Sequence, residues 1–103
     1  MHNEHEPDTI ADGARTLSMG ELNWEIIQRG ITDIVEVPDQ LTLEALRSYF
    51  LYANLKVEPT GALSLGALLA EPERFHRRRV CCIVSGGNVD PSVYAQALLN
   101  KKL

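Results

Sequence analysis

The turn Ser85-Gly86-Gly87-Asn88 carries the local pattern best suited to binding a ligand. It lies between a continuous apolar run, residues 80–84, and a helix that Asp90 and a following proline would begin. Ligands of open α/β sheets bind at the carboxyl ends of strands, glycines let a ligand approach the backbone, and a helix start offers free N–H groups. The turn therefore predicts a ligand site. The alternative is a tight turn in which both glycines take positive φ.

Glu58 is a second candidate because it lies between the apolar face of one predicted helix and a helix of small residues. A carboxylate buried in such surroundings must be paired, since an isolated buried charge is costly, and such carboxylates often mark functional sites. The competing interpretation is structural: Glu58 faces water or joins a helix terminus. The residue pattern alone leaves both interpretations open.

Two further groups have part of a functional pattern and lack the rest. Gly61 and Gly66 have the glycine spacing of a P-loop, but alanine and leucine follow Gly66 where lysine and serine or threonine are required. That nucleotide site is therefore excluded. His2, His5 and Glu6 carry metal-ligating groups but lie in an irregular, acidic lead-in, so we predict no metal site.

The paired cysteines and the basic run are interpreted as structural. Adjacent Cys81 and Cys82 cannot easily meet disulfide geometry, and no cationic residue is adjacent to activate them, so we expect them in the core. Residues 77–79 are three consecutive arginines that follow Glu71 and Glu73. These acidic surroundings favour a solvated turn over a phosphate-binding patch.

Alternating helices and strands would position these residues. Helices are predicted over residues 22–29, from about 40 to 57, over 61–70 and from 91 onward. The β-branched run 31–37 and the apolar run 80–84 predict strands, the second buried on both faces. This order predicts an α/β fold in which part of a parallel sheet is flanked by helices. Two strands cannot satisfy both edges and both faces of a sheet, so the chain would be one piece of a larger sheet.

The ends and faces of the helices can be predicted as well. Gly30 suits a left-handed end of the first helix, while Asp39 and Asp90 are placed to cap the second and the last. The second helix repeats apolar residues at three- and four-residue steps, which predicts one buried face. That face comprises Leu43, Leu46, Phe50, Ala53 and Val57.

Length and charge restrict the class of protein. With 103 residues, 45% hydrophobic and 23% charged, the chain is expected to form a single globular segment over residues 1–103. A net charge of -4 gives no field that attracts nucleic acid or anionic membrane. The longest uncharged stretch, residues 59–70, is shorter than the ~20 residues of a membrane span. With an acidic amino terminus and no disulfide framework, we expect a reduced, cytoplasmic protein.

Four motifs occur along the chain in an order typical of one enzyme family. They are TIADG at 9–13, DIVEV at 33–37, VEPTGA at 57–62 and IVSGGNVD at 83–90. From about Thr9 to its end, the chain resembles the carboxyl-terminal third of threonine dehydratase (threonine ammonia-lyase) and serine racemase. These are pyridoxal-phosphate enzymes of the tryptophan-synthase-β-like fold, also called fold type II.

The resemblance implies cofactor-binding roles for several residues. Ser85 would lie at the pyridine nitrogen, and Gly13 and Glu58 would lie by the ring. Gly86 is predicted to bind the cofactor with them, because a glycine lets a ligand approach the backbone. A serine hydroxyl can hydrogen-bond the nitrogen without keeping it protonated as a carboxylate would. The ring is then a weaker electron sink, sufficient for α-proton removal followed by β-elimination.

The resemblance also implies that the centre of the active site is missing from this chain. The family's Schiff-base lysine, glycine-rich phosphate loop and divalent metal site all lie upstream of the matching part. None of Lys56, Lys101 and Lys102 stands in the family's lysine context. We therefore expect no catalytic residue here, because the lysine is both the covalent anchor and the usual base.

Three functions are expected from the resemblance. The first is a lyase that converts threonine or serine into a 2-oxo acid and ammonia when complete, with pyridoxal phosphate as cofactor and a small amino acid as substrate. The second is a non-catalytic remnant or interaction domain, and the third is a serine racemase-type isomerase. Neither nucleic acid nor a membrane is an expected partner. The sequence leaves open whether the chain forms a homo-oligomer.

Overall fold

The computed structural model describes residues 4–99, and this part of the chain is mostly helical. Its helices are α1 (Glu21–Gly30), α2 (Asp39–Ala53), α3 (Leu63–Ala70) and α4 (Pro91–Leu98). Single 3₁₀ turns cover Asp12–Ala14, Thr60–Ala62 and Pro72–Phe75. None of the helices among residues 4–99 is both long and apolar enough to cross a membrane. The four predicted helices are therefore confirmed in their order.

The start of α4 agrees closely with the sequence prediction. The Asp90 carboxylate accepts a hydrogen bond from the Ser92 backbone N–H at 2.8 Å, and Pro91 is the first helical residue. Proline fits that position because its missing N–H would have had no partner within the helix. The predicted cap is confirmed.

Three other predicted helix ends are wrong. Gly30 is the last residue of α1, and no glycine in the described range has positive φ. Asp39 is the first residue of α2 rather than its cap, a position taken by Pro38. α2 ends before Val57 because Asn54 turns left-handed at φ 55°, a conformation that asparagine adopts more readily than most residues. Val57 is nonetheless fully buried beyond the helix end.

The packed half of the molecule, defined here as α2, α3 and α4, contains most of the core. Leu43 and Leu46 of α2 are buried with Ala62, Ala97 and Val57. The other two residues of the predicted face, Phe50 and Ala53, are exposed, which corrects that prediction. Both residues lie in the last turn of α2, and the Phe50 ring meets the edge of the Tyr94 ring.

The predicted strands 31–37 and 80–84 are not formed among residues 4–99. Ile34 and Ile83 are 47% and 76% exposed, Cys81 is exposed and Cys82 is half-buried. The predictions of a buried strand and of core cysteines are therefore wrong for this chain. The physical reason is that a strand needs a neighbour to pair with, and the two segments do not pair with each other.

We call residues 31–37 and 80–85 together the open face. Both segments lie against α3 without joining a sheet. A Cβ atom on Gly66 of α3 would come within 2.7 Å of Val37 Cγ1, and the Ser64 hydroxyl donates to the Ile83 carbonyl at 2.9 Å. The molecule measures 39 × 36 × 19 Å along its principal axes and is therefore flat.

Candidate functional site

The segment 56–61 is the junction at which the candidate site residues meet. It runs from the end of α2 to the start of α3, and it is anchored by Val57 and Pro59, both buried. The 3₁₀ turn that begins at Thr60 is closed by the Ala62 N–H, which donates to the carbonyls of Glu58 and Pro59 at 3.2 and 3.1 Å. The segment is therefore a fixed support rather than a loose connection.

Glu58 and Gly86 lie in direct contact. The Glu58 backbone N–H donates to the Gly86 carbonyl at 3.1 Å. A Cβ atom on Gly86 would lie 2.7 Å from Glu58 Oε1, closer than such atoms come in proteins. A Cβ atom on Gly61 would lie 2.7 Å from the Gly86 carbonyl oxygen. The VEPTGA and IVSGGNVD motifs thus pack backbone against backbone at Gly61, where a Cβ atom would collide with the Gly86 backbone.

The pair Gly86-Gly87 is explained by this close approach and not by turn geometry. A Cβ atom on Gly87 would meet the Lys56 carbonyl oxygen at 2.3 Å. Neither glycine has positive φ. The alternative of a tight turn with two left-handed glycines is therefore wrong.

Gly13 also contacts the segment 56–61, at Thr60. Its backbone N–H donates to Thr60 Oγ1 at 2.9 Å. The chain before it is tied to α2, because Asp39 accepts hydrogen bonds from the Thr9 hydroxyl at 2.6 Å and from the Ile10 N–H at 3.4 Å. The carboxylate expected to cap a helix instead holds the segment that carries Gly13.

Ser85 lies at the edge of this arrangement. Its side chain is exposed and makes no hydrogen bond to another residue within 4–99. It directly precedes Gly86, so the contact of Gly86 with Glu58 fixes where Ser85 emerges. The structure thus brings Gly13, Glu58 and Gly86 together around one segment and leaves the Ser85 hydroxyl free at its border.

The Glu58 side chain is half-buried and forms no hydrogen bond or ion pair with another described residue. It lines a cleft of about 90 Å³ with Asp12, Asn88 and Asp90. Pockets that enclose a small-molecule ligand measure roughly 300–1,000 Å³. The cleft is therefore too small to enclose such a ligand by itself, and Glu58 is a polar group in it without a side-chain partner among the described residues.

The charged side chains that line the cleft are all acidic. Hydrogen bonds from the Ser92 hydroxyl and backbone N–H lower the pKa of Asp90 below its ordinary value. Asp90 is therefore an anion at neutral pH that is fully engaged in capping α4. Glu58, by contrast, keeps its acceptor oxygens available to a ligand.

The residues at hand fit part of a pyridoxal-phosphate site. Gly86 lies so close to Glu58 that a Cβ atom would collide with Oε1, and Ser85 presents a free hydroxyl. The cleft offers no cationic side chain for a phosphate group. Lys56 lines a separate groove of about 460 Å³ beside Phe50 and Tyr94. His2, Lys101 and Lys102 lie outside the described residues.

Sequence reasoning missed three contributors to this arrangement. Thr60 and Gly61 stand inside the VEPTGA motif, and the motif could have drawn attention to them. Asp39 gave a misleading signal, because an aspartate after proline at a helix start is typical of a cap. Its bond to Thr9 spans 30 residues of sequence, and no local pattern indicates such a contact.

One family model and several known proteins match most of this chain. The family model of pyridoxal-phosphate dependent enzymes matches residues 1–86. The chain is 41% identical over 92 residues to serine racemase of Schizosaccharomyces pombe, covering 89% of this chain and 28% of that protein. It is 42% identical over 92 residues to L-threo-3-hydroxyaspartate ammonia-lyase of a Pseudomonas species, covering 89% of this chain and 29% of that protein.

Solved structures give the same result in three dimensions. A threonine deaminase from T.th. superposes with a TM-score of 0.75 at 38% identity, over 87% of this chain and 32% of that one. The resemblance to threonine dehydratase and serine racemase is confirmed, as is pyridoxal phosphate as the cofactor of such enzymes. The chain spans less than a third of the length of these relatives.

Proposed function

The chain belongs to the family of pyridoxal-phosphate dependent enzymes, and from that premise we propose that it forms one wall of the cofactor site of an ammonia-lyase. The reaction would be β-elimination from a small 3-hydroxy amino acid, threonine or serine, giving a 2-oxo acid and ammonia. The observation that supports this proposal is the meeting of Gly13, Glu58 and Gly86 around the segment 56–61.

Pyridoxal phosphate, when bound, supplies the electron sink that makes loss of the substrate's α-proton feasible. The Ser85 hydroxyl would donate a hydrogen bond to the ring nitrogen, from the position that the Gly86–Glu58 contact fixes. Gly86 would leave the ring room, and Gly13 would pass beside it. The Glu58 carboxylate, which has no partner in the described chain, would accept a hydrogen bond from the cofactor or the substrate.

The remaining chemistry would come from polypeptide that this chain does not contain. Lys56 lines a groove away from the cleft of Glu58, so we propose no covalent role for it. A fold type II sheet, completed by neighbouring strands along the open face, belongs to the same proposal. A cytoplasmic location does too, since Cys81 and Cys82 are free thiols of the kind that this compartment keeps reduced.

Racemisation is the second candidate function. It is favoured by the 41% identity to the serine racemase of S. pombe, and it begins with the same loss of the α-proton. The two reactions differ in the next step, which is either departure of the hydroxyl group or return of a proton to the other face. A non-catalytic remnant or interaction domain is the third candidate.

The deciding experiment joins this chain to the amino-terminal portion of the S. pombe serine racemase that precedes the matching region. The purified hybrid is tested for cofactor absorbance, for 2-oxo acid from L-threonine, L-serine and L-threo-3-hydroxyaspartate, and for D-serine from L-serine. The controls are the amino-terminal portion alone and this chain alone. We expect the hybrid to bind cofactor and to release 2-oxo acid.

Each result of that experiment has a distinct meaning. D-Serine in excess of 2-oxo acid would favour the racemase. A folded hybrid that holds the cofactor without forming either product would support the non-catalytic interpretation. This chain alone, mixed with pyridoxal phosphate and reduced with borohydride, should show no stoichiometric attachment at Lys56. Such an attachment would contradict the proposal that the covalent anchor lies elsewhere.

A further inference from the structure

The contact between Thr60 and Gly13 connects two parts of the chain that are 47 residues apart. Thr60 Oγ1 accepts the Gly13 N–H at 2.9 Å. Thr60 lies two residues after Glu58, and Glu58 is itself bonded through its N–H to the Gly86 carbonyl. One short segment therefore fixes the positions of Gly13 and Gly86 relative to each other.

The contact involves the whole threonine side chain. A Cβ atom on Gly13 would lie 3.0 Å from Thr60 Oγ1, 3.1 Å from Cγ2 and 3.3 Å from Cβ. The Gly13 backbone thus rests on both the hydroxyl and the methyl group. The hydroxyl sets the direction of the Gly13 peptide, since a hydrogen bond of this length requires alignment of the N–H with its acceptor.

The other end of the 9–13 segment is held independently. Ala11 is fully buried, and Thr9 is bonded to the Asp39 carboxylate at 2.6 Å. Loss of the Thr60 hydroxyl would therefore leave the segment attached to α2 while releasing the Gly13 peptide. The effect of Thr60 on Gly13 can for this reason be separated from unfolding of the segment.

We propose that Thr60 is a positioning residue, whose hydroxyl holds the Gly13 peptide beside the Glu58–Gly86 contact so that the cofactor ring meets a preformed surface. This inference rests on the proposed function for its purpose, although the contact itself does not. Thr60 acts through Gly13 and need not touch the cofactor. A preformed support of this kind raises affinity by reducing the ordering required on binding.

The first test measures hydrogen exchange by mass spectrometry on the 103-residue chain without cofactor, with peptides that resolve Gly13. Thr60→Val keeps the shape and removes the acceptor, whereas Thr60→Ser keeps the acceptor. Thr32→Val is the matched control, because Thr32 is exposed and far along the chain from both residues. Protection of α2 in every variant reports that the packed half is intact.

We expect Thr60→Val to speed exchange at Gly13 about five- to tenfold, the effect of losing one hydrogen bond. Thr60→Ser and Thr32→Val should remain within about twofold of the parent. An unprotected Gly13 in the parent, or equal rates in all four proteins, would overturn the inference. Equal loss of protection in Thr60→Val and Thr60→Ser would also overturn it, since the loss would then follow from any change at Thr60 and not from removal of the hydroxyl.

The second test measures cofactor affinity and the cofactor's fluorescence spectrum in the hybrid with the racemase amino-terminal portion. Thr60→Val should weaken affinity about tenfold and change the emission, and Thr60→Ser should restore both. If the parent hybrid binds no cofactor, the proposed function fails while the exchange result still decides the role of Thr60. If the hybrid binds cofactor and Thr60→Val changes neither readout, the positioning role is refuted and the proposed function stands.

Discussion

The packed half and the open face of this molecule are built from equally apolar residues and differ in their surroundings. Leu46 of α2 is fully buried, whereas Ile83 of the open face is 76% exposed. Helices satisfy their own backbone groups and need only apolar cover, while strands require a neighbouring chain for every hydrogen bond. The comparison shows that the helices of the packed half bury apolar side chains within the chain, whereas the open face leaves its apolar side chains exposed.

The largest expected effect concerns association of the chain with itself. The exposed apolar side chains of the open face, with unpaired backbone groups, form a template for strand pairing. We predict that the isolated chain associates at micromolar concentration and that Ile83→Lys reduces the association markedly. Light scattering and sedimentation measure this, with Leu22→Lys on the exposed side of α1 as control. A monodisperse monomer for the parent chain would contradict the dependence of the open face on a partner.

The next effect distinguishes the two regions by stability. Leu46→Ala removes a fully buried side chain and should lower the free energy of unfolding by about 3 kcal/mol, within the roughly 2–5 kcal/mol range of such truncations. Ile83→Ala should change it by less than about 0.5 kcal/mol in this chain. Urea titration followed by helical circular dichroism measures both, at a protein concentration below that at which the chain associates. Similar losses for the two variants would show that the open face is covered in solution.

A smaller effect is expected where the two regions meet, at the glycines of the site. Gly87→Ala places a methyl group against the Lys56 carbonyl oxygen, part of a backbone that cannot move aside, and should cost about 2 kcal/mol. Gly86→Ala meets the end of the flexible Glu58 side chain and should cost less. Gly30→Ala, with nothing within 4 Å, is the control and should be neutral or slightly stabilising. Thermal unfolding gives the order, and a larger loss for Gly86→Ala would show that Glu58 is rigidly held.

How well the sequence predicts a structural feature depends on how far apart in sequence the residues lie that interact to form it. The start of α4 is local, since Asp90 and Ser92 are two residues apart, and it was predicted correctly. The predicted strands 31–37 and 80–84 are not local in this sense, because each needs a neighbouring strand, and neither forms among residues 4–99. Their apolar patterns predict burial, but Ile34 and Ile83 are exposed, so the burial inferred from them is wrong here.

In the candidate site, too, the local motifs were predictable from the sequence and the long-range contacts were not. The motifs containing Gly13, Glu58 and Ser85 were found from sequence because they resemble a family whose membership the comparisons confirm. Their cofactor roles remain predictions. The contacts that hold them together, Gly13 on Thr60 and Gly86 on Glu58, span 47 and 28 residues of sequence. No periodicity encodes such distances, and the need for glycine becomes visible only when the opposing backbone is in place.

The smallest expected effect is a change in hydrogen exchange as the pH falls. It is expected to differ between Asp90, which caps α4 of the packed half, and Asp33 of the open face. The Ser92 hydroxyl and backbone N–H lower the pKa of Asp90 at the start of α4. The Ile34 N–H, together with Arg74, lowers the pKa of Asp33 in the open face. A carboxyl group whose pKa is lower in the folded state stabilises that state above its ordinary pKa of about 3.9. The contribution is lost as the pH falls through the lowered value.

Hydrogen exchange of α4 and of residues 31–37, measured between about pH 7 and pH 3 and corrected for intrinsic rates, tests this comparison. Asp90 closes a helix of the packed half, so its protonation should loosen the first turn of α4 below about pH 4. Asp90→Asn, which keeps an acceptor, should retain most of the protection and remove its pH dependence. Protonation of Asp33 should change exchange little, because residues 32–37 include only one backbone N–H, that of Ile34, with a hydrogen bond shown among residues 4–99. A strong acid-dependent change in exchange at residues 31–37, with none in α4, would contradict this prediction. It would show that the open face, and not the packed half, depends on its carboxylate.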